Sequence, residues 1–252
     1  MPSTLLRTVQ VSGCTVRVRT TPAASPAVGP PFVLVHGLGM THRYLDRLRV
    51  ELAADADVHA VDLPGFGPDP RPRVPLEVED QAALLVEALR TLGLTSCVPV
   101  GHSMGVQFVA AAALQAPDLV DRVVLMGPVV DRRRRTVVQQ AAALALDTAR
   151  ETASADLLVL TDYARTGMRW YVRQLVPMMR FPLERAVERL DCPVLVLRGG
   201  RDPVARRPWC LELAQRAREG IFVELEGQPH VVQHTAAPRV ATEILSFCRR
   251  ER

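Results

Sequence analysis

Lysine is missing from all 252 residues, so arginine supplies every basic charge that balances the 27 acidic residues to a net +4. Its absence excludes catalysis through a lysine Schiff base. Aromatic residues are scarce at 4%, and no nucleic-acid-binding motif accompanies the arginines, so a nucleic acid partner is not expected. The five cysteines (Cys14, Cys97, Cys192, Cys210 and Cys248) are scattered without a CxxC pair. That pattern gives neither a disulfide framework nor a metal site, and it fits reduced thiols in a cytoplasmic protein. No apolar run approaches the roughly 18 residues that cross a bilayer. The opening MPSTLLRTVQVSG lacks the basic and apolar regions of a secretory signal. A cytoplasmic protein without a membrane partner is expected.

With 48% hydrophobic and 23% charged residues, the chain has the composition of a globular protein large enough for a substantial core. Residues 4–20 alternate apolar and polar positions, as an antiparallel hairpin at a sheet edge does. Short apolar runs then recur: FVLVHG, DVHAVDL, SCVPVGHS, DRVVLMGPVV, CPVLVLRGG and GIFVELEG. Such runs suit parallel strands buried on both faces. Helical periodicity over 42–54, 77–92, 104–116, 206–219 and 236–249 separates them, which makes βαβ units. The interval from Arg132 to Leu190 interrupts the alternation. It reads as helical, with breaks near Gly167 and Pro177, and is too long for a simple crossover. The expected organisation is a core built from 1–131 and 191–252, with 132–190 inserted as a helical cap.

The sequence GHSMG at 101–105 follows an apolar strand and opens an alanine-rich helix. In that context G-x-S-x-G makes a sharp turn that exposes the central serine. Ser103 is the candidate nucleophile, and the N–H of Met104 at the helix start can stabilise an oxyanion. A serine at neutral pH needs a base. Among six histidines, His230 in EGQPHVVQH follows the last expected strand; His234 is the rival but falls at a helix start. The elbow's His102 should point away from Ser103, His36 belongs to an HG turn, and His42 and His59 lack catalytic surroundings. His230 and His234 have HxxxH spacing without the glutamate or third ligand of a zinc site, so no metal is expected. Asp202 in LRGGRDPV ends the strand before the one leading to His230, which makes it the candidate carboxylate. Asp131, after the preceding strand, is the alternative. HGLG at 36–39 follows the first long buried strand, and the N–H of Leu38 is the candidate second oxyanion donor.

Taken in order, HGLG, DLPGFG, GHSMG, GGRDP and the His230 segment resemble the α/β-hydrolase superfamily over nearly the whole chain. The resemblance implies a mainly parallel, doubly wound sheet with an antiparallel N-terminal edge and a cap. It implies a triad of Ser103, Asp202 and His230, with Leu38 and Met104 as oxyanion donors and no cofactor. The DLPGFG turn resembles the epoxide hydrolase, haloalkane dehalogenase and C–C hydrolase branches. The first two use an aspartate nucleophile, which this elbow lacks.

The expected activity is hydrolysis of a small, mostly apolar carboxylic ester. The alternatives are C–C hydrolysis, cofactor-free lyase or perhydrolase chemistry on the same triad, and a non-catalytic ligand-binding member of the fold. In the cap, Met168, Trp170, Tyr171, Met178, Met179 and Phe181 either line a lipophilic cleft or pack the cap onto the core. Arg180, or the run Arg132–Arg135, is the candidate cation for an acidic substrate, with a solvated face the blander reading of the run. Beyond a small-molecule substrate, only a homodimer is left open as a partner.

Overall fold

A computed structural model describes residues 4–27, 29–67, 69–134 and 168–250. Eight strands form one sheet in the order β1-β2-β4-β3-β5-β6-β7-β8. β1 (Leu5–Val11) and β2 (Cys14–Thr21) make the expected hairpin, with Val9 opposite Val16 and Val11 opposite Cys14. β2 also runs antiparallel to β4 (Val58–Asp62). β3 (Phe32–Val35), β4, β5 (Val98–His102), β6 (Val123–Met126), β7 (Val194–Gly199) and β8 (Gly220–Leu225) are parallel. The apolar runs thus become the central strands.

Alternation within those strands feeds two cores. On β3, Val33 and Val35 face one core while Phe32 and Leu34 face the other. On β7, Val194 and Val196 are similarly divided from Leu195 and Leu197. The first core is covered by α2 (Val78–Thr91), α3 (Gly105–Gln115), α5 (Leu183–Glu188) and α6 (Arg207–Arg216). The second is covered by α1 (Asp46–Leu52), α7 (Val232–Thr235) and α8 (Ala237–Cys248). The α2 face shows why: Val78, Gln81, Ala82, Leu85, Ala88 and Leu89 recur at helical spacing and are buried. Glu77 and Asp80 form a capping box at its start. Burial of a side chain such as Leu85 contributes about 1.5–3 kcal/mol.

α4 (Met168–Arg180) departs from expectation, because it runs through Pro177 instead of breaking there. A proline costs a helix one backbone hydrogen bond. Here it stands one turn from the C-terminus, and the buried Trp170 and Met178 hold the helix on both sides of it. The chain leaves α4 at Phe181, and Pro182 precedes α5. Residues 135–167, which include Arg135, the Gly167 break and most of the expected cap, lie outside the described residues. No described helix is long and apolar enough to cross a membrane.

Candidate active site

The parallel strands deliver their C-terminal ends to one edge, where ligand sites of open α/β sheets form. β5 ends in the elbow. Ser103 has φ +55°, a left-handed conformation that costs a serine energy and has to be imposed by its surroundings. The Ser103 N–H donates to the Met126 carbonyl at 2.9 Å, which fastens the turn to β6. A side chain at Gly101 would collide with the Gly105 backbone, and one at Gly105 with the Val35 backbone. Only glycines let β3, β5 and α3 converge closely enough to fold the chain this sharply. Ser103 remains half-buried.

His230 follows β8, and Asp202 follows β7. His230 Nδ1 lies 2.8 Å from Asp202 Oδ2, and both residues are buried. The other carboxylate oxygen accepts the N–H groups of Val204 at 2.7 Å and Ala205 at 2.9 Å. Burial alone would raise the Asp202 carboxyl. The His230 charge and hydrogen bond, with those two backbone donors, outweigh it and hold the group below the usual carboxylate range. An ionised Asp202 keeps the proton on His230 Nδ1, which leaves the basic lone pair of the ring on Nε2. Asp131, the alternative acid, instead accepts the Arg133 N–H at 2.9 Å.

The HGLG loop is held at both ends. His36 Nε2 accepts the Leu63 N–H at 3.2 Å, so its Nδ1 carries the proton and donates to the Gly37 carbonyl at 2.9 Å. In a trans peptide the carbonyl and N–H point opposite ways. Drawing the Gly37 oxygen toward His36 therefore turns the Leu38 N–H away from it. Gly37 packs against Ser103, since a side-chain carbon there would lie 3.0 Å from Ser103 Cβ. Farther along, the His42 N–H donates to Asp62 Oδ1 at 2.6 Å and its Nδ1 lies 2.8 Å from Oδ2. Asp62, the first residue of DLPGFG, thus pins the far end of the loop. Among the described residues, no acceptor takes the N–H of Leu38 or Met104.

Sequence reasoning missed two contributors. His102, expected only to point away from Ser103, packs its ring on His230 with centroids 4.7 Å apart. Its Nε2 donates to the His230 carbonyl at 3.0 Å, and its Nδ1 therefore accepts from the Tyr44 hydroxyl. Burial, with the nearby His230 charge second, pushes its pKa down to about 3, so His102 stays neutral. Gly127, after β6, gives the His230 ring its space: a side-chain carbon there would lie 2.9 Å from His230 Cε1. A glycine after a strand is too common to have marked it.

Of the other candidates, Trp170, Met178 and Phe181 are buried, the last two within the larger core. Trp170 Nε1 donates to the Gly65 carbonyl at 2.8 Å, which fixes α4 to the DLPGFG turn. Arg180 is exposed, 3.7 Å from Glu77, and Arg132 and Arg133 are exposed beside Glu212 at 2.7 Å each. These three arginines are thus engaged with carboxylates outside the triad. No described group of three or more His, Cys, Asp or Glu side chains is arranged to hold a metal.

Comparisons with known proteins bear on the family and the fold. The (E)-2-((N-methylformamido)methylene)succinate hydrolase of Acinetobacter baylyi is 26% identical over 230 residues, covering 84% of this chain and 88% of that protein. The crystal structure of the enol-lactonase from Burkholderia xenovorans LB400 superposes with TM-score 0.82 at 21% identity, covering 97% of this chain and 100% of that one. The crystal structure of E-2-(acetamidomethylene)succinate hydrolase gives TM-score 0.79 at 21% identity over 98% and 100%. A family model described as the alpha/beta hydrolase fold matches residues 30–161, about half of the chain. The protein belongs to the alpha/beta hydrolase fold family.

Proposed function

We propose that this chain is a serine hydrolase that transfers a small acyl group to water through an acyl-enzyme. The buried Asp202–His230 pair, together with a serine held in a left-handed turn after β5, carries the reading. Ser103 Oγ attacks the carbonyl carbon as His230 Nε2 takes its proton. The developing oxyanion meets the N–H groups of Leu38 and Met104, which no described protein group has claimed. Collapse breaks the bond to the leaving heteroatom, which receives the proton from His230. A water molecule, deprotonated by the same histidine, then attacks the acyl carbon and releases the acid.

The relatives sharpen the substrate. An enol-lactone and an acylaminomethylene succinate share a feature visible in their names: the acyl group sits on a heteroatom attached to a carbon–carbon double bond. Such an atom leaves more readily than a simple alkoxide or amine. The proposed substrate is therefore an activated acyl compound, an enol ester first and an enamide second. C–C hydrolysis of a diketo acid would need a cation in the cleft, and Arg132, Arg133 and Arg180 are engaged elsewhere.

Intact-mass measurement after fluorophosphonate treatment tests the reading. One adduct on Ser103 is expected, with none on Ser103→Ala, whose turnover should fall by roughly 10⁶. An adduct that persists in the variant, or maps to another residue, refutes it.

A further inference from the structure

α4 meets α3 one turn beyond the proposed nucleophile. Trp170, Gln174 and Met178 follow one another at four-residue spacing, so they share a face of α4, and all three are buried. Both ends of that face are tied to the core. Trp170 is bonded to Gly65, while Gln107 of α3 donates its amide to the carbonyls of Met178 at 2.9 Å and Val129 at 3.4 Å. Gln174 lies midway between the tied ends with no exposed surface, and neither its Oε1 nor its Nε2 has a hydrogen-bond partner. Gln107 is equally buried, and its Oε1 is also unpartnered. Gln107 is the third residue of α3, four positions after Ser103 on the helix that the elbow opens.

Three buried polar atoms therefore stand unpaired on the two tied helices, α3 and α4: two acceptor oxygens and one amide nitrogen. Each carries a desolvation cost while unmatched, and a leucine in place of Gln174 would fill similar space without that cost. We propose that Gln174, with Gln107, forms a polar subsite that selects acyl groups carrying a neutral amide. The substrate's N–H donates to a glutamine oxygen, and its carbonyl accepts from Gln174 Nε2. An apolar acyl chain would leave all three atoms unmatched. A carboxylate would enter a buried interface in which the two glutamines provide no positive charge, at a greater cost than a neutral amide. The subsite rests on the assignment of Ser103 as nucleophile and narrows the substrate beyond it.

The test compares p-nitrophenyl N-acetylglycinate with p-nitrophenyl pentanoate, whose acyl chains have the same length. Each kcat/KM is divided by the rate constant for hydrolysis of that ester by hydroxide. The wild-type protein should favour the amide ester by about tenfold or more, the equivalent of one buried hydrogen bond. Gln174→Leu should abolish the preference, and Gln174→Met serves as a second apolar replacement should the leucine variant misfold. The melting temperature of a folded variant should hold or rise. Absence of the preference in the wild type, its survival in the folded variant, or a clear drop in melting temperature overturns the subsite. If fluorophosphonate still labels Ser103 in that case, the nucleophile reading stands. Failure of labelling in the wild type removes both.

Discussion

Around Asp202, each carboxylate oxygen is engaged: one by His230, the other by two backbone N–H groups. His102 behind them has both ring nitrogens bonded. Across the elbow, at the contact of α3 and α4, the two glutamines leave three buried atoms unmatched. Both regions are polar and buried, yet one completes itself and the other, in the proposed subsite, is left for a ligand to match. A catalytic group must keep one geometry through every step, so the protein supplies its partners. A recognition group gains selectivity when the right ligand matches it and a wrong one leaves it unmatched.

The largest expected effect breaks the self-sufficient side. Asp202→Asn should lower kcat on p-nitrophenyl butyrate by about 10⁴, whereas Asp131→Asn should cost less than about tenfold. Reversed effects would move the acid to the end of β6. A smaller effect concerns acid. A histidine titrating near 6.5 in the unfolded chain but near 3 when folded binds its proton more readily in the unfolded state. Its contribution is full above pH 6.5 and is lost as pH falls toward 3. Depressed Asp202 acts in the same sense below about pH 4. Urea unfolding should thus show stability falling by about 1–2 kcal/mol between pH 6.5 and 5. His102→Gln should flatten that slope by about one proton, and an unchanged slope would show that His102 is not the titrating group. The smallest effect separates the two glutamines. Gln107→Leu loses its bonds to α4 and β6's exit and should cost about 1–2 kcal/mol in urea unfolding, against no loss for Gln174→Leu. Equal losses would erase the distinction between a latch and a recognition group.

Much of this was legible in the residues. The buried strands read plainly because short, unbroken apolar runs have few other uses, and GHSMG read plainly because its glycines are sterically required. Asp202 and Asp131 were harder to rank, since each follows a strand; the choice depends on where the His230 loop descends. Trp170, Met178 and Phe181 announced burial without saying against what, and the Trp170–Gly65 bond spans 105 positions. The Tyr44–His102–His230 chain was invisible for the same reason: its members come from three distant segments, and no local pattern marks them.

The elbow also bears on how this protein can change. Gly101 and Gly105 are braced against β3, β5 and α3 at once, so a side chain at either position disturbs folding before it can alter chemistry. Variation is closed there. On α4 the opposite holds, because the helix touches the nucleophile's neighbourhood without shaping the turn itself. A mutant library confined to Gln174 and its neighbours would explore new acyl groups while leaving the reactive serine's backbone untouched. On the proposed subsite, specificity and catalysis are separable, and single substitutions on one helix should reach new substrates.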